Sequence, residues 1–167
     1  MNYNKINKVV FLEYLIVCNA VSFIITSIYS FWGIEEEALT VSYFTIIYAI
    51  TLAPIIEEVL FRKLLLKLFM FCGERKAIVI SAFLFGLWHF DIVQSVYAFF
   101  GGIILGIVAV KYGTIKYTIL LHAAYNALEI NIVFLNYYVW LIIEIAICIL
   151  ALIIIKRDHK ELFLIAK

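Results

Sequence analysis

Six apolar runs occupy most of this chain, at roughly residues 9–32, 39–61, 77–90, 92–110, 117–135 and 137–155. A helix needs about 20 residues to cross the hydrocarbon core of a bilayer, so a chain of 167 residues holds about six crossings joined by short loops. Composition points the same way. Hydrophobic residues make up 66% of the chain and charged ones 15%, against about 45–50% and about 25% in soluble domains. A soluble fold of this size could not hide so much apolar surface. A soluble enzyme, a nucleic-acid binder and a disordered chain are thereby excluded. Runs such as Val139–Ile155 lack the alternation of an outer-membrane barrel strand. The expected fold is an all-α, polytopic transmembrane bundle of about six spans, one integral-membrane domain over residues 1–167 with the lipid bilayer as its surroundings.

Charge placement gives the topology. Lys5 and Lys8 precede the first run, and Glu35, Glu36 and Glu37 follow it. Arg62, Lys63, Lys67, Arg75 and Lys76 follow the second, Lys111 and Lys116 separate the fourth from the fifth, and Lys156, Arg157, Lys160 and Lys167 close the chain. With both termini in the cytoplasm, all 13 Lys and Arg fall on the cytoplasmic side or its edge, as the positive-inside rule requires. Trp32, Trp140, Tyr137 and Tyr138 then sit near the outer boundary, where aromatic side chains favour the headgroup region. The first run ends at acidic residues rather than a small-residue cleavage site and reads as a retained helix. The third run, Ala77–Phe90, is short, about 21 Å as a helix, so a tilted or broken segment is expected there. Residues 62–72 continue the second helix amphipathically. Gly101, Gly102 and Gly106 suit close helix packing, and Cys18, Cys72 and Cys148 have no metal or disulfide spacing.

Ionisable groups inside spans are expensive and by default point to function. Glu57 and Glu58 follow Pro54 in the second run, His89 ends the third, and His122 and Asn126 lie in the fifth. Glu58 and Arg62 are four residues apart, one helix face apart from Glu57, and suit an ion pair. Glu58 is therefore expected to turn toward Arg62, leaving Glu57 to face elsewhere. Pro54 should kink the helix one turn upstream. Taken singly, each has a plain structural reading: interfacial ion pairs, an interfacial histidine, a His–Asn contact between helices. Taken together, Glu57, His89, His122 and Asn126 supply an acid and two imidazoles able to activate water and stabilise an oxyanion, with or without a metal. His159, in the charged tail, reads as solvated surface.

Glu57-Glu58-x-x-x-Arg62, Phe85-x-x-x-His89 and His122-x-x-x-Asn126, in that order, resemble the three-motif pattern of the CAAX protease and bacteriocin-processing (CPBP, or ABI) family, which includes the type II CAAX prenyl endopeptidases. The resemblance covers about residues 40–135, the expected catalytic core. It implies an intramembrane endopeptidase, a hydrolase of a bacteriocin-like precursor peptide or another membrane-associated substrate. By the same resemblance Glu57 activates the water, His89 assists as base or water ligand, His122 and Asn126 hold the water or the oxyanion, and Glu58 with Arg62 supports them. The family name says metalloprotease, whereas relatives have also been argued to work without metal. Glu57, His89 and His122 could ligate zinc with an open fourth position or hold a water directly; the residues leave both open.

No Ser or Cys shares a motif face with a histidine, so direct attack by water is expected rather than covalent catalysis. Expected partners are a peptide or protein substrate and the bilayer, with an ABC exporter in the same pathway and no nucleic acid. The expected location is a bacterial cytoplasmic membrane, multi-pass. The competing reading is a bacteriocin self-immunity or peptide-binding membrane protein without proteolysis. Of the remaining intramembrane acids, Glu129 lies seven residues past His122 on roughly the same face, at the upper wall of a site cavity. Glu13 and Glu144 are expected to make polar contacts between helices or to stay protonated.

Overall fold

A computed structural model describes residues 5–34, 42–132 and 136–163; Glu35, Glu36 and Glu37 lie outside the described residues. Six helices follow one another, with no strand among the described residues. They are α1 (Lys8–Phe31), α2 (Tyr43–Cys72), α3 (Glu74–Leu87), α4 (Ile92–Tyr112), α5 (Lys116–Ile132) and α6 (Tyr137–Phe163). α1, α2, α4 and α6 are each long and apolar enough to cross a membrane. α3 has 14 residues and α5 has 17. Side-chain caps start three of the helices: Asn7 accepts from the Val10 amide, Ser42 from Thr45 and Asp91 from Gln94, satisfying donors that a first turn leaves unpaired.

α1 and α6 lie antiparallel. The Tyr14 hydroxyl donates to the Leu162 carbonyl at 2.7 Å, Glu13 pairs with Arg157 at 2.6 Å, and Phe23 meets the Trp140 ring edge-on. The contact between Glu13 and a neighbouring helix is the one expected of it. Glu144 is 2% exposed, and its Oε2 has no hydrogen-bond partner among the described residues. Leu66, Ala77, Ile78, Ile107 and Ala109 form one apolar cluster, with Phe163 packed against it. That cluster gathers the basic ends of α2, α3, α4 and α6 at one end of the bundle, while Trp140 and Tyr137 pack together toward the other. Many large apolar side chains face outward, Phe44, Ile142 and Leu152 among them, while several polar ones, such as Glu58, Arg62 and Asn19, are buried, an arrangement that lipid tolerates.

One expectation about local structure is revised and another is met. The third run does not carry His89 on a helix. α3 begins at Glu74, three residues before the apolar run, and ends at Leu87. His89 and Phe90 form the turn that follows, with the His89 amide donating to the Gly86 carbonyl and Phe90 in the left-handed region at φ 56°. α2 is likewise not one regular helix. It breaks at Thr51 (φ −113°, ψ −66°), just before Pro54, as the proline predicts. It then passes into a π-helical turn at Val59–Leu65 and a 3₁₀ turn at Phe69–Cys72.

α3 and α4 form a tight antiparallel hairpin that rests on small residues. A Cβ at Gly86 would lie 2.6 Å from the Ser95 carbonyl oxygen, and one at Gly102 would meet Ala82 and Phe85 at 3.1 Å. At Gly101 nothing lies within 4 Å. Gly86→Ala should therefore destabilise the protein by about 1–3 kcal/mol, whereas Gly101→Ala should stabilise it by about 0.4–1 kcal/mol. Thermal unfolding in detergent checks both.

Candidate active site

The break in α2 and the straight run of α5 bring the polar motifs together. Glu58 is fully buried, and its carboxylate faces two partners: Arg62 Nε lies 3.3 Å from Oε2, and His122 Nδ1 lies 3.2 Å from Oε1. The Thr118 hydroxyl, one helical turn before His122, donates to the Ile115 carbonyl at 2.9 Å. Arg62 in turn donates through Nη2 to the Gly102 carbonyl at 3.3 Å and lies 4.3 Å above the Phe85 ring. A buried charge needs this kind of enclosure, because an unpaired one costs several kcal/mol. The face of the Phe85 ring adds cation–π attraction for the guanidinium.

Glu58 is thus not turned away from the histidine. Adjacent residues on a helix point about 100° apart, but an imidazole has two nitrogens, and His122 spans that divergence. Its Nδ1 meets Glu58 while its Nε2 lies 3.6 Å from Glu57 Oε2. A carboxylate on one ring nitrogen fixes the orientation of the ring and leaves the other nitrogen for chemistry. Glu57 itself is half-buried, with 15% of its side chain exposed. The distance of 3.6 Å exceeds a direct hydrogen bond, and a water lying beside the two atoms can reach both.

His89 and Asn126 join the cluster indirectly. His89 is half-buried, its Nδ1 lies 2.9 Å from the Phe85 carbonyl, and its ring packs edge-on to Phe85. His122 packs edge-on to the same phenyl ring, so the two imidazoles flank Phe85. Asn126 donates through Nδ2 to the Ala49 carbonyl at 2.8 Å, beside the break in α2. One amide hydrogen of Asn126 is thereby committed to holding α2 in place. Thr51 strengthens the same break, its hydroxyl donating to the Ile47 carbonyl at 2.6 Å.

Among the described residues, no three His, Cys, Asp or Glu side chains come together to hold a metal ion. As arranged, Glu57, His89 and His122 do not make the three-ligand zinc set, and the mechanism below is derived through the chain's own groups. Ser81 donates to the Phe61 carbonyl at 2.6 Å. Among the described residues neither histidine has a hydrogen bond from a Ser, Thr or Cys side chain.

The family model for type II CAAX prenyl endopeptidase, Rce1-like, matches residues 38–128, more than half of the chain. The chain belongs to that family. The matched segment runs from just before α2 to near the end of α5 and contains Glu57, Glu58, Arg62, His89, His122 and Asn126. No curated protein and no solved structure matches the chain. This Rce1-like chain is therefore a multi-pass membrane protein of a protease family.

Phe85, the first residue of the second motif, carries the packing between both histidines and Arg62. One buried residue near the site gives no motif signal. Asn19, 2% exposed on α1, hydrogen-bonds Glu129 on α5 at 3.3 Å. The only hint of it in the sequence is a polar residue inside an apolar run, with Ser22 three positions on. The two acids of the motif should separate cleanly in stability. Glu58→Ala strands Arg62 in the interior and should cost about 3–5 kcal/mol. Glu57→Gln removes no buried pair and should stay within about 1 kcal/mol. Thermal melts of the two variants in the same detergent read the difference.

Proposed function

We propose that this protein is an intramembrane endopeptidase that hydrolyses a peptide bond of a membrane-associated peptide by a water activated between Glu57 and His122. The observation that carries the reading is the imidazole held by Glu58 at Nδ1 with its Nε2 3.6 Å from Glu57 Oε2. The Glu57 carboxylate takes a proton from the water as its oxygen attacks the scissile carbonyl. The carbonyl π electrons move to oxygen, giving a tetrahedral oxyanion. His122 Nε2, when protonated, and the second Nδ2 hydrogen of Asn126 are the donors available to that oxyanion. Glu57 then returns the proton to the leaving amine as the carbon–nitrogen bond breaks. Holding Nδ1–H on the Phe85 carbonyl leaves His89 Nε2 free to accept a hydrogen bond from the water.

The resemblance of the motifs and the membership of the family support proteolysis over a self-immunity or binding role. The test uses purified protein in nanodiscs with a quenched-fluorescent farnesylated CAAX-box peptide, its unprenylated counterpart and a peptide mixture read by mass spectrometry. Wild type should cleave at a defined bond, and Glu57→Gln should lower the rate by about 10²–10⁴-fold with the melting temperature kept. Serine- and thiol-directed reagents should leave the activity intact. Cleavage unaffected by Glu57→Gln, or stoichiometric labelling of a Ser or Cys with loss of activity, would overturn the proposal. Loss of activity to a chelator, restored by zinc, would replace it with the metal-dependent version.

A further inference from the structure

The polar face of α5 does not stop at the motif. Tyr125, Asn126 and Glu129 lie three, four and seven residues past His122, so they continue its side of the helix. Beyond Asn126 this stripe meets α1. Asn19 donates through Nδ2 to Glu129 Oε1 at 3.3 Å, and Ser22, three positions on along α1, is 4% exposed. Asn19 is 2% exposed, yet its Oδ1 has no hydrogen-bond partner among the described residues. A buried amide oxygen without a donor keeps the full cost of its desolvation, so this position favours an incoming N–H group. Asn19 and Glu129 both fall outside the segment 38–128 matched by the family model.

Glu129 lies seven residues from His122, about 10 Å along the helix. An extended peptide advances about 3.3 Å per residue, so a chain lying along α5 with its scissile bond at His122 reaches Glu129 about three residues away. A carboxylate and an amide oxygen both accept hydrogen bonds, which makes the complementary group a donor. We infer that Asn19 and Glu129 form a specificity subsite that takes an N–H donor of the substrate, from a backbone amide or a basic side chain, about three residues from the scissile bond. This rests on the endopeptidase reading. The plain alternative is that the Asn19–Glu129 bond only fastens α1 to α5.

Binding, measured apart from cleavage, tests it. The probes are fluorescent farnesylated CAAX-box peptides bound to the Glu57→Gln protein in nanodiscs. One has lysine three residues before the scissile bond, one has norleucine there, and others carry single backbone N-methyl groups at and around that position. Losing either the ammonium or one amide hydrogen should weaken binding about tenfold, the size of one charge-assisted or well-buried hydrogen bond. That difference should vanish when Asn19→Leu is added. Glu129→Gln, which keeps an acceptor for Asn19, tells the sources apart: it weakens binding of the lysine peptide if the donor is an ammonium and leaves it unchanged if the donor is an amide. Equal affinity for all peptides overturns the subsite. So does an equal loss for all peptides on Asn19→Leu, or no binding of the lysine peptide. Failure of the endopeptidase reading shows separately, as wild-type cleavage absent or indifferent to Glu57→Gln.

Discussion

The carboxylate of Glu58 has no route to water, and the centre of the bundle is organised by what it needs. It draws a guanidinium from the next turn of its own helix and an imidazole from α5. Breaking either contact leaves charge in an apolar interior, a penalty of about 3–5 kcal/mol, so α2 and α5 are fixed against each other at this point. The arginine carries the constraint onward. Its bond to the Gly102 carbonyl and its seat over Phe85 reach into the α3–α4 hairpin, whose helices approach closely because Gly86 and Gly102 have no side chains. The aromatic ring that supports Arg62 is also the one against which both histidines pack.

The division of labour between adjacent acids follows from their burial. Glu58 is sealed and structural in its contacts; Glu57 remains partly open and meets the free nitrogen of the same imidazole. One histidine thus joins a buried scaffold to an accessible carboxylate. Asn126 adds a second attachment by holding the Ala49 carbonyl at the break in α2. The break and the π-helical turn lie on either side of the Glu pair. Irregular backbone at membrane depth is tolerated where protein rather than lipid surrounds it.

Much of this was legible in the sequence because membrane composition and helical spacing are strong signals. The Glu58–Arg62 pair followed from a separation of four, and the shared face of His122 and Asn126 from the same rule. The direction of Glu58 was not legible. Helical geometry shows that two neighbouring acids diverge, but not that one imidazole on another helix has a nitrogen for each. The turn at His89 was hidden as well: Trp88 and Phe90 keep the stretch apolar, and the left-handed residue is a phenylalanine rather than a glycine. Asn19 carried no motif, and its pairing with Glu129 spans 110 positions, a separation that periodicity along one helix cannot reveal.

The orientation of His122 is the claim on which the rest turns, and nitrogen NMR of ¹⁵N-histidine-labelled protein tests it directly. Glu58, ionised beside Arg62, accepts hydrogen bonds only, so its contact with His122 requires a proton on Nδ1. The account predicts a His122 signal with Nδ1 protonated in wild type, lost as a defined state when Glu58→Leu removes the acceptor. A bare Nδ1, with the proton on Nε2 alone, would contradict it.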